Sequence, residues 1–504
     1  MTQDVGLRVD ELPWLRLDKR MLLIHPVTEL VRLLPVLLVS LVLGSQSGTH
    51  VWGLIVVVLL VGAAILRWFT TGYRIGSDDV QLRRGLFQKK VLSIPRGRIR
   101  SVDVRAGPLH RLLGLSILTV GTGQQKSDKA DSFELNALAS NLVPALREEL
   151  LAGTGRTVGV DPVAVTEPAV TPEREIAHFR TGWVRFAPFT ATGIVVVGAG
   201  FGLVFQSGFA GDIASSPALD DTYQAVLRLG IVVAVVVAAA LLLFVSSIVS
   251  VVRYLVVYGN LSVTDDGTRL RVGHGLLSTR HTTLDRDRLR GATLRRPLVL
   301  RWARGARLDA VMTGVSASEK ESSLLLPPAP LPAARHTMDD VLAGLPESAP
   351  ATVTLQKHGP AALRRRLTRA VGPVLLVAVA LLVVRSTGRD VPIAAWIGVA
   401  LLVVAAVALA LDRYAALGHR AHPGVLITEH GSLDRRRVVL DTDGVVAWGV
   451  RQTFFQRRAG VATIVAATAA GTGRYTVLDV PADHAWSIVE SAQPGAGDVW
   501  VERP

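Results

Sequence analysis

Two sets of arginines stand at alternate positions: Arg96, Arg98 and Arg100, and Arg286, Arg288 and Arg290. Alternate side chains of an extended strand share a face. Each set therefore predicts a cationic ridge, suited to the oxygens of phosphate or carboxylate groups. Arg83, Arg84, Lys89 and Lys90 bracket a predicted hairpin and extend the same chemistry. These are the candidate residues for anionic lipid headgroups or an acidic protein partner, against the plainer reading of solvated strand faces. Asp285 and Asp287 alternate in the same way, as do Asp441 and Asp443. Paired carboxylates can serve acid–base chemistry, but arginines flank these, and ion pairing is their expected role.

Other routes to catalysis are closed by residue type and spacing. The chain has no cysteine, which excludes disulfides, thiolate metal sites and cysteine nucleophiles. The histidines form no His-x-x-x-His zinc pair. His419 and His422, three apart, are expected at a membrane interface. The string Gly198-Ala199-Gly200-Phe201-Gly202 lies inside an apolar segment, where close helix packing is its expected use. Gly314-Val315-Ser316-Ala317-Ser318 lacks the second glycine of a nucleophile elbow. We expect no catalytic residue, no metal site and no cofactor, and so no enzyme. The formal net charge is +14. No basic stretch is interleaved with stacking aromatics, so nucleic acid is not an expected partner. Arginines close to a membrane attract anionic lipids at roughly 1 kcal/mol each.

The elements that position these residues repeat three times: two apolar segments, then a basic, strand-rich stretch. The apolar pairs are Leu22–Gly44 with Val51–Phe69, Trp183–Phe205 with Val226–Val251, and Leu367–Val384 with Val391–Leu411. About 20 helical residues cross a bilayer core. Six transmembrane helices in three hairpins follow as the expectation. Ser45–His50 and Gln206–Gln224, inside hairpins, carry no Lys or Arg, and the third such loop, Arg385–Asp390, carries Arg385 and Arg389, whereas Arg16, Lys19, Arg20, Arg67, Arg253, Arg364, Arg365, Arg366 and Arg413 flank the spans outside them. The positive-inside rule then places both termini and all three soluble domains in the cytoplasm. Trp52, Trp68, Trp183 and Tyr254 are expected as interfacial anchors. Glu29 and Arg32 share one face near the start of the first span. They are the residues on which a transporter, the alternative reading, would depend. No cleavable signal peptide is expected.

The predicted organisation is a tail and hairpin over 1–69, a domain over 70–155, a linker over 156–182, a hairpin over 183–254, a domain over 255–346, a linker over 347–366, a hairpin over 367–413 and a domain over 414–494. Gly85, Gly275 and Gly431 each stand nine residues before an apolar strand residue: Ile94, Leu284 and Leu440. A strand, a turn with positive φ and a second strand are expected there. Arg111-Leu112-Leu113-Gly114 and Arg457-Arg458-Ala459-Gly460 predict a short helical turn feeding a further strand, with a looser version at Arg301-Trp302-Ala303-Arg304-Gly305. Closing amphipathic helices are expected over Leu138–Leu151, Thr337–Leu345 and Ala482–Ala492. Val158–Glu173 and the proline-rich Leu326–Pro350 read as linkers, the latter stiff and extended.

On these residues, above all Gly85 to Ile94-Pro95-x-x-Arg98-Ile99 and Arg111-Leu112-Leu113-Gly114, the chain resembles the bacterial pleckstrin-homology-like (bPH2) membrane proteins of the YdbT type. The resemblance covers nearly the whole chain in three tandem copies. The second copy lacks the proline after Leu284, and the third has Gly444-Val445 where the first has Arg98-Ile99. It implies a membrane α + β fold: each hairpin followed by a PH-like β-barrel or sandwich of seven strands with a C-terminal helix. It also implies a bacterial multi-pass cell-membrane protein that binds proteins or lipid headgroups and serves envelope maintenance or antimicrobial tolerance. A fold alone does not supply a function.

Overall fold

The computed structural model describes residues 14–16, 18–21, 62, 70–76, 79–84, 90–96, 99, 101–121, 133–143, 145–146, 173–190, 221–313, 323–344 and 352–496. The first repeat forms β1 (Leu15–Arg16), β2 (Gly72–Ile75), β3 (Asp79–Arg84), β4 (Lys90–Pro95), β5 (Ser101–Ala106), a short helix α1 (Pro108–Leu112), β6 (Leu115–Gly121) and β7 (Phe133–Ala139). The second forms β8 (Arg174–His178), α2 (Asp221–Tyr258), β9 (Ser262–Asp265), β10 (Arg269–His274), β11 (Thr279–Asp285), β12 (Leu289–Pro297), α3 (Leu298–Trp302), β13 (Gly305–Met312), β14 (Leu324–Pro330) and α4 (Leu331–Val341). The third forms α5 (Gly359–Ser386), α6 (Ile393–Ala415), β15 (Gly418–His422), β16 (Val425–His430), β17 (Asp434–Asp441), β18 (Val445–Arg451), α7 (Phe454–Arg458), β19 (Val461–Thr468), β20 (Arg474–Pro481) and α8 (Ala485–Ala492).

The chain divides into two compact units. Unit 1 comprises Met1–Glu175, Gly259–Arg288 and Thr313–Ser322. One of its sheets runs β1-β2-β3-β4 and a second contains β7-β6-β5-β11-β10-β9 in that order, with β8 at its edge. Alternating residues of the first repeat meet in one core: Val80, Leu82 and Ile94 from the first sheet, and Val102, Leu115, Leu118, Val120 and Leu135 from the second. Burying each such side chain contributes about 1.5–3 kcal/mol. The second sheet is shared between repeats. Strand β11 lies antiparallel to β5, with Leu284 opposite Ser101 and Thr279 opposite Ala106.

Unit 2 comprises Ile176–Tyr258, Leu289–Met312 and Ser323–Pro504. Its larger sheet runs β14-β13-β12-β17-β16-β15 and is again shared: β17 of the third repeat lies antiparallel to β12 of the second. A three-stranded sheet, β18-β19-β20, packs with α8 around Leu426, Leu440, Ile464, Val477, Val480 and Val489. Among the described residues, α5 (28 residues) and α6 (23 residues) are long and apolar enough to cross a membrane. They pack against each other and expose Leu376, Leu382, Leu401 and Val404. Helix α2 spans 38 residues and exposes Val236, Val237, Leu241 and Phe244.

Several expectations need correction. The proline-rich stretch is no spacer: Leu324–Pro330 is strand β14, largely buried, and Leu331–Val341 is the closing helix. Strand β14 lies at a sheet edge, and its pairing with β13 shifts register between Leu326 and Ala329, both of which are places where proline is tolerated. Leu138 belongs to strand β7 rather than to a closing helix. The segment from Trp183 opens as a 3-10 helix, Thr181–Phe189, with Trp183 buried. Tyr254 is also buried, its hydroxyl donating to the Pro328 carbonyl at 2.7 Å. Neither Trp183 nor Tyr254 is an interfacial anchor. Helix α5 begins at Gly359, inside the expected 347–366 linker. Gly275 and Gly431 adopt the expected positive φ, +109° and +101°. A Cβ at either would strike a backbone carbonyl, that of Ser278 or Asp434. Residues 22–61, 191–220 and 314–322, with Glu29, Arg32, Gly85 and the segments Gly198–Gly202 and Val158–Pro172, lie outside the described residues.

Candidate functional site

The ridge expected of Arg286, Arg288 and Arg290 does not form. In the first set, Arg96 lies just past strand β4, which ends at Pro95. Arg286–Arg288 is a 3-10 turn, and Arg290 lies in β12. Asp285 accepts the backbone N–H of Asp287 at 3.2 Å, a local bond that favours a turn over a continued strand. Each arginine then meets its own acceptor. Arg286 pairs with Asp265. Arg288 donates to the Ile99 carbonyl at 3.0 Å and lies 3.2 Å from Asp285. Arg290 reaches Asp441 at 2.9 Å. The ion pairing expected of Asp285 and Asp441 is therefore present.

In the first repeat, the Arg83 guanidinium lies 4.7 Å from the Trp14 ring centroid, and that of Arg74 lies 4.5 Å from it. Arg84 and Lys90 stand opposite each other at the ends of β3 and β4. Lys89, Arg98 and Arg100 lie outside the described residues.

Charge is concentrated instead where unit 2 grips the ends of its two apolar helices. Asp479 on β20 is 1% exposed. It pairs with Arg365 and, at 2.7 Å, with Arg366, both on α5. The Gln456 amide donates to Asp479 at 2.9 Å and to the Thr463 hydroxyl at 2.7 Å. Gln456 also completes a capping box with Thr453 that starts α7. Beside this cluster, His358 Nδ1 lies 2.7 Å from the Leu478 carbonyl, and His358 Nε2 lies 2.9 Å from His419 Nδ1. Burial lowers the pKa of both rings, and burial together with the neighbouring His358 brings His419 to about 4. At neutral pH the pair is uncharged. His419 is thus a buried β-strand residue, not an interfacial one.

The end of α6 is held in the same manner. Asp412 accepts from Arg301 at 3.1 Å, Arg435 at 3.0 Å and the Ser432 hydroxyl at 2.5 Å. The Lys357 ammonium donates to the Ala415 carbonyl at 2.8 Å, as suits a helix C-terminus.

Exposed aromatics adjoin both anchor points. Trp302, next to Arg301, is 73% exposed; Phe454 and Phe455, just before Gln456, are 65% and 73% exposed. Arg304 closely follows Trp302 in sequence, and Arg457 and Arg458 closely follow Phe455. Apolar rings beside cations, near the ends of membrane-length helices, suit a headgroup interface. Sequence reasoning located these short helices through their Arg-x-x-Gly pattern but missed their exposed rings. It also missed the buried acids, whose signal is a lone Asp in an apolar strand, as in Val102-Asp103-Val104 and Leu478-Asp479-Val480.

Among the described residues no group of His, Asp or Glu is arranged to hold a metal ion. A family model described as "Bacterial PH domain" matches three regions of the chain, residues 29–154, 222–335 and 371–491. No curated protein and no solved structure matches.

Proposed function

The chain belongs to the bacterial PH domain family, and we propose that it is a non-enzymatic, multi-pass protein of the bacterial cell membrane. In this reading six spans form three hairpins, with both termini in the cytoplasm. The PH-like domains sit at the inner leaflet and bind a protein partner or anionic headgroups, in the service of envelope maintenance or stress tolerance. Tethering raises the effective concentration of each domain for a membrane-bound ligand.

The observation that carries this reading is the base of unit 2. There, exposed Trp302, Phe454 and Phe455 adjoin the ion pairs that hold α5 and α6. Arg286, Arg288 and Arg290 of the second repeat pair with acids within the chain. Headgroup binding therefore falls to Arg84, Lys89, Lys90, Arg98 and Arg100 of the first repeat and to the arginines near the exposed rings.

The test is lipid enrichment around the full chain in nanodiscs of mixed phosphatidylglycerol and phosphatidylcholine, read by native mass spectrometry. Enrichment of the anionic lipid that fades as salt shortens the Debye length below about 8 Å supports headgroup binding. Alanine at Arg84, Lys89 and Lys90 should reduce it. Equal retention of both lipids at low salt would leave a protein as the ligand.

A further inference from the structure

The two shared sheets obey one rule. In unit 1 the third strand after the repeat's helices, β11, pairs with the first strand of the preceding repeat's second sheet, β5. In unit 2, β17 pairs with β12 in the same antiparallel sense. The registers are also the same. Leu284 and Leu440, each nine residues after the repeat glycine, face Ser101 and Gly291. Ser101 lies two residues after Ile99, and Gly291 two after Leu289, which are equivalent positions of the repeat.

Applying this rule leaves one edge of each kind, in the first and the third repeat. Strand β4, the counterpart of β11 and β17, pairs with β3 alone among the described residues. Strand β18, the counterpart of β5 and β12, pairs with β19 alone among them. Both edges expose apolar side chains: Val91 is 53% exposed and Val446 is 79% exposed. Free edges with exposed apolar residues are templates for another strand.

We propose that β4 of one copy pairs with β18 of a second copy, head to tail. The repeat register puts Ile94 opposite the partner's Ala447, Leu92 opposite the partner's Gly449 and Val91 opposite the partner's Val450. Two different edges meet in this contact, so it is heterologous and closes a ring or extends a filament.

Charge sets its strength. In the internal pairings Arg280 faces Arg105 and Arg436 faces Arg295. Asp103 bridges the first pair and Asp434 the second. The equivalent outer pair is Lys90 with the partner's Arg451. Gly449 occupies the position of Asp103, and Gln88 that of Asp434. The contact between copies has no built-in counter-charge, so added salt strengthens it. Space exists for an acid, because a Cβ on Gly449 meets nothing within 4 Å.

The absence of native cysteine makes the test direct. Two single variants of the full chain, Val91→Cys and Val450→Cys, carry different tags and are oxidised together in membranes. The proposal requires a mixed disulfide dimer, and higher oligomers when one chain carries both substitutions. Pairing Val91→Cys with Val446→Cys, four residues out of register, should yield far less. Adding Gly449→Asp should raise the in-register yield by about threefold, the worth of one cross-strand ion pair. No mixed dimer even with Gly449→Asp, or equal yield in and out of register, overturns the proposal. Light scattering of wild-type and Gly449→Asp protein in detergent gives an independent readout, and monomers in both would overturn it as well.

Discussion

The two internal strand junctions share one register but differ in what enforces it. At β5/β11 a charge is buried: Asp103 and Arg280 are 5% and 6% exposed in their side chains. The Asp103 carboxylate accepts from Arg280 at 3.1 and 2.5 Å, from the Thr282 hydroxyl at 3.1 Å and from Arg105 at 2.8 Å. At β12/β17 the acid sits on the opposite strand and is about a quarter exposed, held by Arg295 at 2.6 Å and Arg436 at 2.8 Å. Apolar residues do more there, with Ala292 facing Val439 where unit 1 sets Val102 against Thr283. Slipping a strand by one residue would strand a buried charge in the first junction and turn an apolar face outward in the second. One geometry is thus secured by two kinds of penalty.

The largest effect should come from breaking the buried pair. Asp103→Ala takes the buried carboxylate away from Arg280, a loss of about 3–5 kcal/mol, read as a lower urea midpoint of the full chain in detergent. Replacing both partners, Asp103→Leu with Arg280→Met, should recover most of that loss, because a buried pair is worth little against an apolar isostere. Failure of the double variant to recover would mean that the charge does more than set register.

Acid should weaken unit 2 by a route that the shared strands do not supply. His419 protonates near pH 4 in the folded chain and near 6.5 unfolded. Between those values the unfolded chain binds more protons, so stability falls as pH falls from about 6.5 towards 4, by roughly 3 kcal/mol. Thermal unfolding between pH 7 and 4 should show this loss, and His419→Gln should reduce it, leaving the share due to His358. The smallest effect belongs to Asp434→Asn, about 1 kcal/mol or less, because solvent screens that pair. A loss as large as that of Asp103→Ala would erase the distinction between the junctions.

What could be read from the sequence was local. The invariant glycine spacing marks a real turn, confirmed at Gly275 and Gly431 by positive φ. The Arg-x-x-Gly pattern marks α1 and α7, and its looser version marks α3. Pairings between distant segments were not legible. Strands β1 and β8, which precede the apolar pairs, are sheet edges. Nothing in Leu15–Arg16 or Arg174–His178 announces a partner more than fifty residues away. Arg286, Arg288 and Arg290 failed as a ridge for a related reason. Periodicity of two predicts a strand face only while the chain stays extended, and the Asp285 carboxylate, accepting the Asp287 N–H, favours a turn. The exposed rings of the candidate site follow from where α3 and α7 pack, which is decided by acids more than a hundred residues away in Asp412 for α3 and by the third-repeat strands for α7.

The central claim is that neighbouring repeats share a continuous sheet. Cysteines at Val104 and His281, opposite each other across β5/β11, test it most directly. A protease site inserted within 158–172 allows the two halves to be separated after oxidation in the membrane. Fragments that stay joined until reductant is added, in the double variant and in neither single one, are the expected result. Fragments that separate without reductant would contradict the shared sheet.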